Sequence, residues 1–200
     1  MRYILIGNGR PALKALQTLT KAGETDIVCL TNETERETFH RNALKHGLTV
    51  RPEGDVRVLA EEDVQADWLL CFNAMTIVPA AVLDRVTQGA VNFHPGKLPE
   101  YAGLFTHQWA IRNGEAEAGV TLHYMQAGVD TGDIIAEVML PIGETETGFA
   151  LFNRCIKTAS EMIVDVVGDI VAGKELPRRV QDLSQRRLYR RADAQDGTID

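Results

Sequence analysis

The sequence predicts an α/β fold, with a Rossmann-like, mostly parallel sheet and helices on both faces. Short apolar runs at 2–7, 26–30 and 67–72 alternate with helical stretches, and a glycine turn follows the first run. This alternation is typical of parallel sheets, in which each helix connects one strand to the next. Two hundred residues, of which 44% are hydrophobic and 24% charged, suit one domain with a full core.

The composition excludes several classes of protein. A net charge of −7 argues against general nucleic-acid binding. No apolar run approaches the roughly 20 residues of a membrane span, and the first residues do not form a signal peptide. The three cysteines lie far apart in apolar segments, which indicates buried reduced thiols. We therefore expect a cytoplasmic protein without a membrane partner.

The first two strands flank a possible nucleotide site. Arg2–Gly7 is the first strand, and Gly7-x-Gly9-x-x-Ala12 resembles the dinucleotide fingerprint. The same turn serves any phosphate or polar ligand at a helix N-terminus, so it is a weak signal. Asp26–Leu30 is the second strand, and the following helix is predicted from Glu33 to His46. Glu33 is a candidate ribose-binding acid, although any first helical turn favours an acid.

The middle of the chain continues the alternation. Thr49–Arg51 reads as a short strand, Glu61–Ala66 as one or two helical turns, and Asp67–Phe72 as a further strand. Pro79–Thr87 is predicted to be a helix that leads into the strand containing residue 92.

In the last hundred residues the regular alternation of one strand with one helix ends. Phe105–Asn113 is predicted as a helix, and Ala118–Tyr124 and Ile134–Ile142 as strands. Thr145 or Thr147 caps a long helix that reaches about residue 171. Residues 173–200 show no period. Within them, 174–191 carry seven Lys or Arg and two Asp or Glu, a basic strip that would meet phosphate or form a solvated tail. The tail is the favoured interpretation.

The stretch from Ala90 to Gly103 is the strongest candidate for a site. Side chains alternate along a strand, so Asn92 and His94 share one face, and Pro95 ends the strand. Ligands of open α/β sheets bind at the carboxyl ends of strands, where this pair lies.

Four polar groups are expected to converge there: Asn92, His94, His123 and Asp130. An aspartate held between glycines can orient an imidazole, and an asparagine amide can donate to a developing oxyanion. These groups suit acyl transfer. No serine or cysteine stands at a nucleophile elbow, so the nucleophile is expected to be a substrate amine or water.

Two alternatives fit less well. Asp130-Thr131-Gly132 spells the aspartic-protease tripeptide, but those proteases are all-β and need two copies. His94, His107 and His123 have no close ligand spacing, so no metal is expected. His123 taken alone is better interpreted as a wall residue of the site than as a catalyst.

Four ordered motifs resemble the 10-formyltetrahydrofolate-dependent formyltransferase family. The family pattern Asn-x-His-Pro-x-x-Leu-Pro-x-Tyr-x-Gly is matched by Asn92–Gly103, and Trp-Ala-Ile-x-Asn-Gly-Glu by Trp109–Glu115. Gly-Val-Thr-x-His is matched by Gly119–His123, and Asp-Thr-Gly-x-Ile by Asp130–Ile134. The sequence departs from the family at Gly96, Lys97 and Ala102. These residues lie in the loop that follows Pro95, which the resemblance places beside the amine that accepts the formyl group. We call this loop the acceptor loop.

The resemblance implies the formyltransferase fold, formyl transfer to an amine, and 10-formyltetrahydrofolate as donor. It implies an Asn-His-Asp triad of Asn92, His94 and Asp130. It implies a folate slot that comprises Phe72, Ala74, Met75, Thr76, Ile77, Val78, Gly128, Val129 and Asp130. On the acceptor side it implies Gly7, Asn8, Gly9, Arg10, Lys97, Tyr101 and His123.

The partner and the domain limits are expectations as well. The acceptor is a small-molecule or carrier-bound amine; nucleic acid is disfavoured, although a tRNA-borne amine stays open. Residues 1–175 are expected to form the catalytic domain. Residues 176–200, which end in Asp-Gly-x-Ile-Asp, are expected to be a tail or a hinge to a second subdomain absent from this chain. A formyltetrahydrofolate hydrolase and a nucleotide-binding regulatory domain are the alternatives.

Overall fold

The computed structural model of the protein describes residues 1–191, which form a seven-stranded sheet, a two-stranded sheet and six α-helices. The strands are β1 (Tyr3–Gly7), β2 (Ile27–Thr31), β3 (Thr49–Pro52), β4 (Ala66–Phe72), β5 (Val86–His94), β6 (Ala102–Gly103), β7 (Glu117–Tyr124), β8 (Ile134–Pro141) and β9 (Leu188–Tyr189). The helices are α1 (Gly9–Lys21), α2 (Thr38–Lys45), α3 (Val56–Glu61), α4 (Ala80–Leu83), α5 (Thr106–Arg112) and α6 (Gly148–Val171).

The large sheet has the order β3-β2-β1-β4-β5-β7-β8. The first five strands in this order are parallel, and β7 and β8 continue the sheet antiparallel. The predicted mostly parallel α/β fold is confirmed. Because the chain runs outward from β1 in one direction and from β4 in the other, a topological switch point lies between these two strands. Crevices at such points are where open α/β sheets bind ligands.

Alternating residues of the strands supply two apolar layers. Tyr3 and Leu5 of β1 face a cluster that includes the buried residues of α1 and α6, whereas Ile4 and Ile6 face α3 and α4. The long helix begins as predicted, with the Thr147 hydroxyl accepting a hydrogen bond from the backbone N–H of Ala150 at 3.2 Å. No helix within residues 1–191 combines the length and apolar character needed to cross a bilayer.

Three predicted elements have different limits. The helix predicted from Glu33 begins only at Thr38, because the Glu33 carboxylate accepts hydrogen bonds from the first free N–H groups of α2 instead of joining the helix. The turn predicted at Glu61–Ala66 is wrong, since the helix lies earlier, at Val56–Glu61. Residues 86 and 87, predicted as helix, belong to β5, where Val86 pairs with Ala66 of β4.

The basic segment near the C-terminus lies against the domain as far as β9. Leu176 is buried, the Arg178 guanidinium stacks 3.6 Å from the Tyr124 ring centroid, and β9 pairs with β6. A solvated tail therefore does not describe these residues. The predicted hinge sequence at 196–200 lies outside the described residues, and the division at residue 175 stays a prediction.

Candidate active site

The end of β5 and the adjacent β7 bring the predicted polar residues together. Asn92 pairs with His123 in the antiparallel register, and His94 pairs with Thr121, so these four side chains share one face of the sheet. The partners on the other face, Phe93 and Leu122, belong to the apolar core. Asp130 reaches the same group from the loop between β7 and β8.

His94 is buried between two oxygen acceptors. Its Nε2 lies 2.5 Å from the Tyr101 carbonyl oxygen, and its Nδ1 lies 3.4 Å from Asp130 Oδ2. Because a carbonyl only accepts, Nε2 carries the hydrogen of the neutral ring, and Nδ1 has the free lone pair that faces Asp130. Burial lowers the pKa of His94, although the charge of Asp130 and the Tyr101 carbonyl oppose this effect. His94 is thus a neutral base whose protonated form meets a carboxylate.

His123 lies at the centre of the cluster, in contact with both Asn92 and Asp130. Its Nδ1 lies 2.8 Å from the carbonyl oxygen of Tyr124, so Nδ1 donates and Nε2 is an acceptor. Nε2 accepts from Asn92 Nδ2 at 3.1 Å and lies 3.5 Å from Asp130 Oδ1. The second N–H of the Asn92 amide makes no hydrogen bond within the described residues, which leaves it available to a ligand.

Asp130 is held in an unusual backbone conformation. Its φ of +54° lies in the left-handed region, and the backbone N–H of Gly103 donates to its Oδ2 at 2.8 Å. Burial favours the protonated carboxyl, but the positive charge that His94 carries when protonated, the contact with His123 and the Gly103 N–H outweigh burial and lower the pKa of Asp130. The loop also needs a glycine at 132, where a Cβ would overlap the Tyr124 carbonyl oxygen.

The glycine turn after β1 is closed by the protein itself. Asn8 accepts hydrogen bonds from Thr31 and Asn32 and donates to Glu53 and the Asn73 carbonyl. The Glu33 carboxylate accepts from the Gly9 N–H at 2.5 Å and also caps α2. The two groups that a dinucleotide would use, a turn N–H and the acid after β2, therefore bind each other. Arg10 is exposed at this turn.

The predicted folate slot has an apolar, accessible rim. Met75, Ile77 and Val129 are 73%, 76% and 45% exposed, values that are unusual for apolar side chains. Phe72 and Val78 lie in the core below them. The backbone of this segment is fixed, since the Met75 N–H donates to the buried Glu53 carboxylate at 2.8 Å.

The acceptor loop carries internal pairs. Lys97 Nζ lies 2.7 Å from Glu100 Oε1, and the Tyr101 hydroxyl donates to Glu115 at 2.6 Å. A cavity of about 490 Å³ adjoins this loop, lined in part by Gly96, Lys97, Tyr101 and Thr106. It lies beside the polar cluster, and none of the four clustered side chains lines it.

No three His, Cys, Asp or Glu side chains within residues 1–191 are arranged to hold a metal ion. A neutral imidazole base, an ionised aspartate beside it and a free amide donor can move one proton and stabilise one oxyanion.

Sequence reasoning missed three contacts that complete the cluster: the Tyr101 carbonyl on His94, the Gly103 N–H on Asp130, and Gln181 on the loop of Asp130. The first two are backbone groups of the long motif that begins at Asn92. Gln181 lies in the aperiodic C-terminal segment, where nothing in the pattern marks it.

The fold and the cluster define an α/β domain with a buried polar cluster at its strand ends. The family model described as "Formyl transferase" matches residues 13–167. A methionyl-tRNA formyltransferase of Anaeromyxobacter dehalogenans is 33% identical over 215 aligned positions, covering 100% of this chain and 68% of the relative. The chain belongs to the formyltransferase family, as the motifs predicted.

Solved structures show the same fold. An N-formyltransferase from Helicobacter canadensis, in complex with folinic acid and dTDP-3-aminofucose, has a TM-score of 0.79 at 20% identity, covering 99% of this chain and 72% of that one. Glycinamide ribonucleotide transformylase 1 from Symbiobacterium toebii has a TM-score of 0.71 at 22% identity, covering 90% and 92%. The chain spans between 60% and 68% of the length of the methionyl-tRNA formyltransferases it matches.

Proposed function

We propose that this chain transfers a formyl group from 10-formyltetrahydrofolate to an amine. The observation that carries the proposal is the contact of Asp130 with His94 and His123 beside the free amide N–H of Asn92. Membership of the formyltransferase family supports the reaction. The folinic acid bound by the Helicobacter canadensis relative supports a folate donor.

The reaction joins the amine nitrogen to the formyl carbon and then breaks the bond from that carbon to the folate nitrogen. Attack turns the formyl oxygen into an oxyanion, which the free N–H of Asn92 stabilises. The proton lost by the amine is taken up at His94 Nδ1 and passes to the departing folate nitrogen. Asp130 stabilises the imidazolium in between, because its carboxylate faces Nδ1.

The acceptor is proposed as a small-molecule or carrier-bound amine. The relatives include methionyl-tRNA formyltransferases and a sugar N-formyltransferase bound to an amino-sugar nucleotide. A net charge of −7 disfavours a large polyanion as the acceptor of this chain by itself. A panel of amines, assayed for consumption of formyltetrahydrofolate, identifies the acceptor.

Single substitutions test the cluster. Asn92→Ala is expected to lower turnover by roughly 10²–10³-fold, as for the loss of an oxyanion donor. His94→Ala and Asp130→Ala are each expected to lower it by about 10²–10⁴-fold. The matched control is His46→Ala, at an exposed position after α2. A folded His94→Ala that keeps more than about a tenth of wild-type turnover contradicts the proposed role of His94.

Ligand binding separates the proposal from the dinucleotide alternative. A ligand at a hundredfold excess over its Kd stabilises the native state by about 2.7 kcal/mol, which is several degrees of melting temperature. We expect this shift with tetrahydrofolate or a formylated analogue, and none with NAD or NADP. Formate release without any amine would instead favour the hydrolase.

A further inference from the structure

The loop that carries Asp130 is held from the C-terminal segment of the described chain. Gln181 is 7% exposed, and its Nε2 donates to the carbonyl oxygens of Asp130 at 3.1 Å and Gly132 at 2.5 Å. Two residues before Gln181, the backbones of Arg179 and Ile134 exchange hydrogen bonds at 2.8 and 2.9 Å. The segment after α6 therefore binds the turn of residues 130–132 through hydrogen bonds to the Asp130 and Gly132 carbonyl oxygens.

A second part of the same segment supports the other side of the site. β9 pairs with β6, whose Gly103 N–H binds the Asp130 carboxylate. The Tyr189 ring stacks on Tyr101 with centroids 4.9 Å apart, and the carbonyl of Tyr101 accepts from His94. The two groups that contact His94, the Tyr101 carbonyl and the Asp130 carboxylate, thus both belong to parts of the chain that residues beyond position 175 hold in place.

The turn needs such support because its backbone conformation is unfavourable for a side chain other than glycine. Asp130 has a φ of +54°, in the left-handed region, which a side chain keeps only when its neighbours hold the backbone there. A turn released from the two Gln181 hydrogen bonds would relax and carry the carboxylate away from His94.

We infer that Gln181 is a positioning residue of the catalytic site, which holds the Asp130 turn so that its carboxylate faces His94 and His123. This inference rests on the proposed function of the cluster. Gln181 touches no reacting atom, and its effect passes through the main chain of residues 130 and 132.

The test compares three variants of the full chain. Gln181→Met keeps the length of the side chain and removes its N–H donors. Gln181→Asn keeps the amide but shortens the side chain by one methylene, which weakens its reach to the two carbonyl oxygens. Gln185→Met is the matched control, because Gln185 is an exposed glutamine of the same segment whose amide binds only Asp182 among the described residues.

The first readout is the titration of the His94 ring by NMR, which needs no turnover. The charged or titratable groups near His94 are Asp130, His123 and His107. Asp130→Asn removes a facing negative charge and is expected to lower the pKa of His94 by about 1–3. Gln181→Met is expected to lower the pKa of His94 as well, by less than Asp130→Asn does, and Gln185→Met to leave it unchanged.

The second readout is steady-state kinetics. Misplacing a catalytic group by about 1 Å costs up to roughly a hundredfold in rate, so we expect kcat of Gln181→Met to fall about 10- to 100-fold. The KM values of donor and acceptor are expected to stay near those of wild type, because Gln181 contacts neither. A residue that only stabilised the fold would lower the melting temperature without moving the His94 titration or kcat.

The outcomes distinguish the positioning role of Gln181 from the proposed formyl transfer. A folded Gln181→Met with the His94 titration and kcat of wild type overturns the inference. A shifted titration in a protein that formylates no amine supports the positioning role and refutes the proposed function. If Gln181→Met does not fold, Gln181→Asn decides, and a wild-type His94 titration in that variant also overturns the inference.

Discussion

His107 makes the stability of the domain depend on pH in a way that can be calculated. It is the second residue of α5, it is 7% exposed, and its Nδ1 is buried without a hydrogen-bond partner in the described part of the chain. Its ring lies 4.9 Å from that of Phe152 on α6. Burial, reinforced by the positive charge that His94 carries when it is protonated, lowers the pKa of His107 to about 4.

The sign follows from the unfolded chain, in which a histidine has a pKa of about 6.5 and so binds a proton more readily than the folded state does. The native state is therefore fully stable above about pH 6.5 and loses stability as the pH falls towards 4. At pH 5 the loss from this one residue is about 2 kcal/mol. For a domain of this size that corresponds to roughly 4–8 °C of melting temperature.

Urea unfolding of wild type and His107→Leu measures the effect. Leucine keeps the apolar contact with Phe152 and does not titrate. We expect wild type to lose about 2 kcal/mol more than the variant between pH 7.5 and pH 5, and to melt roughly 4–8 °C lower over the same step. His46→Leu, at an exposed position, is the control and should retain the wild-type pH dependence.

Equal losses in wild type and His107→Leu would refute the reasoning, because the buried imidazole would then not be the group that takes up the proton. The comparison is needed because His94 has a lowered pKa too and contributes the same sign to both proteins.

Two further predictions concern the site loops. Gly132→Ala is expected to lose at least about 1 kcal/mol of stability in urea unfolding and to lose activity, because the added Cβ would overlap a backbone carbonyl. Gly168→Ala in α6 is the comparison, because open space surrounds the position of its Cβ; it should gain roughly 0.5–1 kcal/mol. Equal stability of the two variants would contradict the packing of the Asp130 loop. Lys97→Met should raise the KM of the acceptor and leave that of the folate unchanged, with Glu100→Gln as the variant that frees the ammonium from its partner at 2.7 Å. Equal effects on both substrates would rule out contact between Lys97 and the acceptor.

Local patterns were sufficient for the fold and for half of the site. Alternating apolar runs predicted the parallel strands, and the strand period placed Asn92 and His94 on one face. Both predictions depend on residues close in sequence. The cap of α6 was also predictable, since Thr147 precedes the helix directly.

The remaining features depend on contacts that no local pattern encodes. His123 reaches the centre of the site because β7 pairs antiparallel with β5 across 31 positions. Glu33 has the sequence signature of a helix first turn, yet its carboxylate links α2 to the Gly9 N–H. Gln181 lies 51 residues from the carbonyl it binds and in a segment without period.

The register in which β5 pairs with β7 determines which side chains meet in the candidate site. If β7 moved by one residue along β5, Leu122 or Tyr124 would take the place of His123, and the His123 and Thr121 side chains would enter an apolar layer. Each buried polar group left without a partner costs about 1–3 kcal/mol, so the side chains of the candidate site also disfavour a misaligned sheet. A misaligned β7 is therefore disfavoured by the polar residues of the cluster themselves. An inserted or deleted residue in β7 should abolish folding and activity together, whereas length changes in the solvent-facing turn between β8 and α6 should be tolerated.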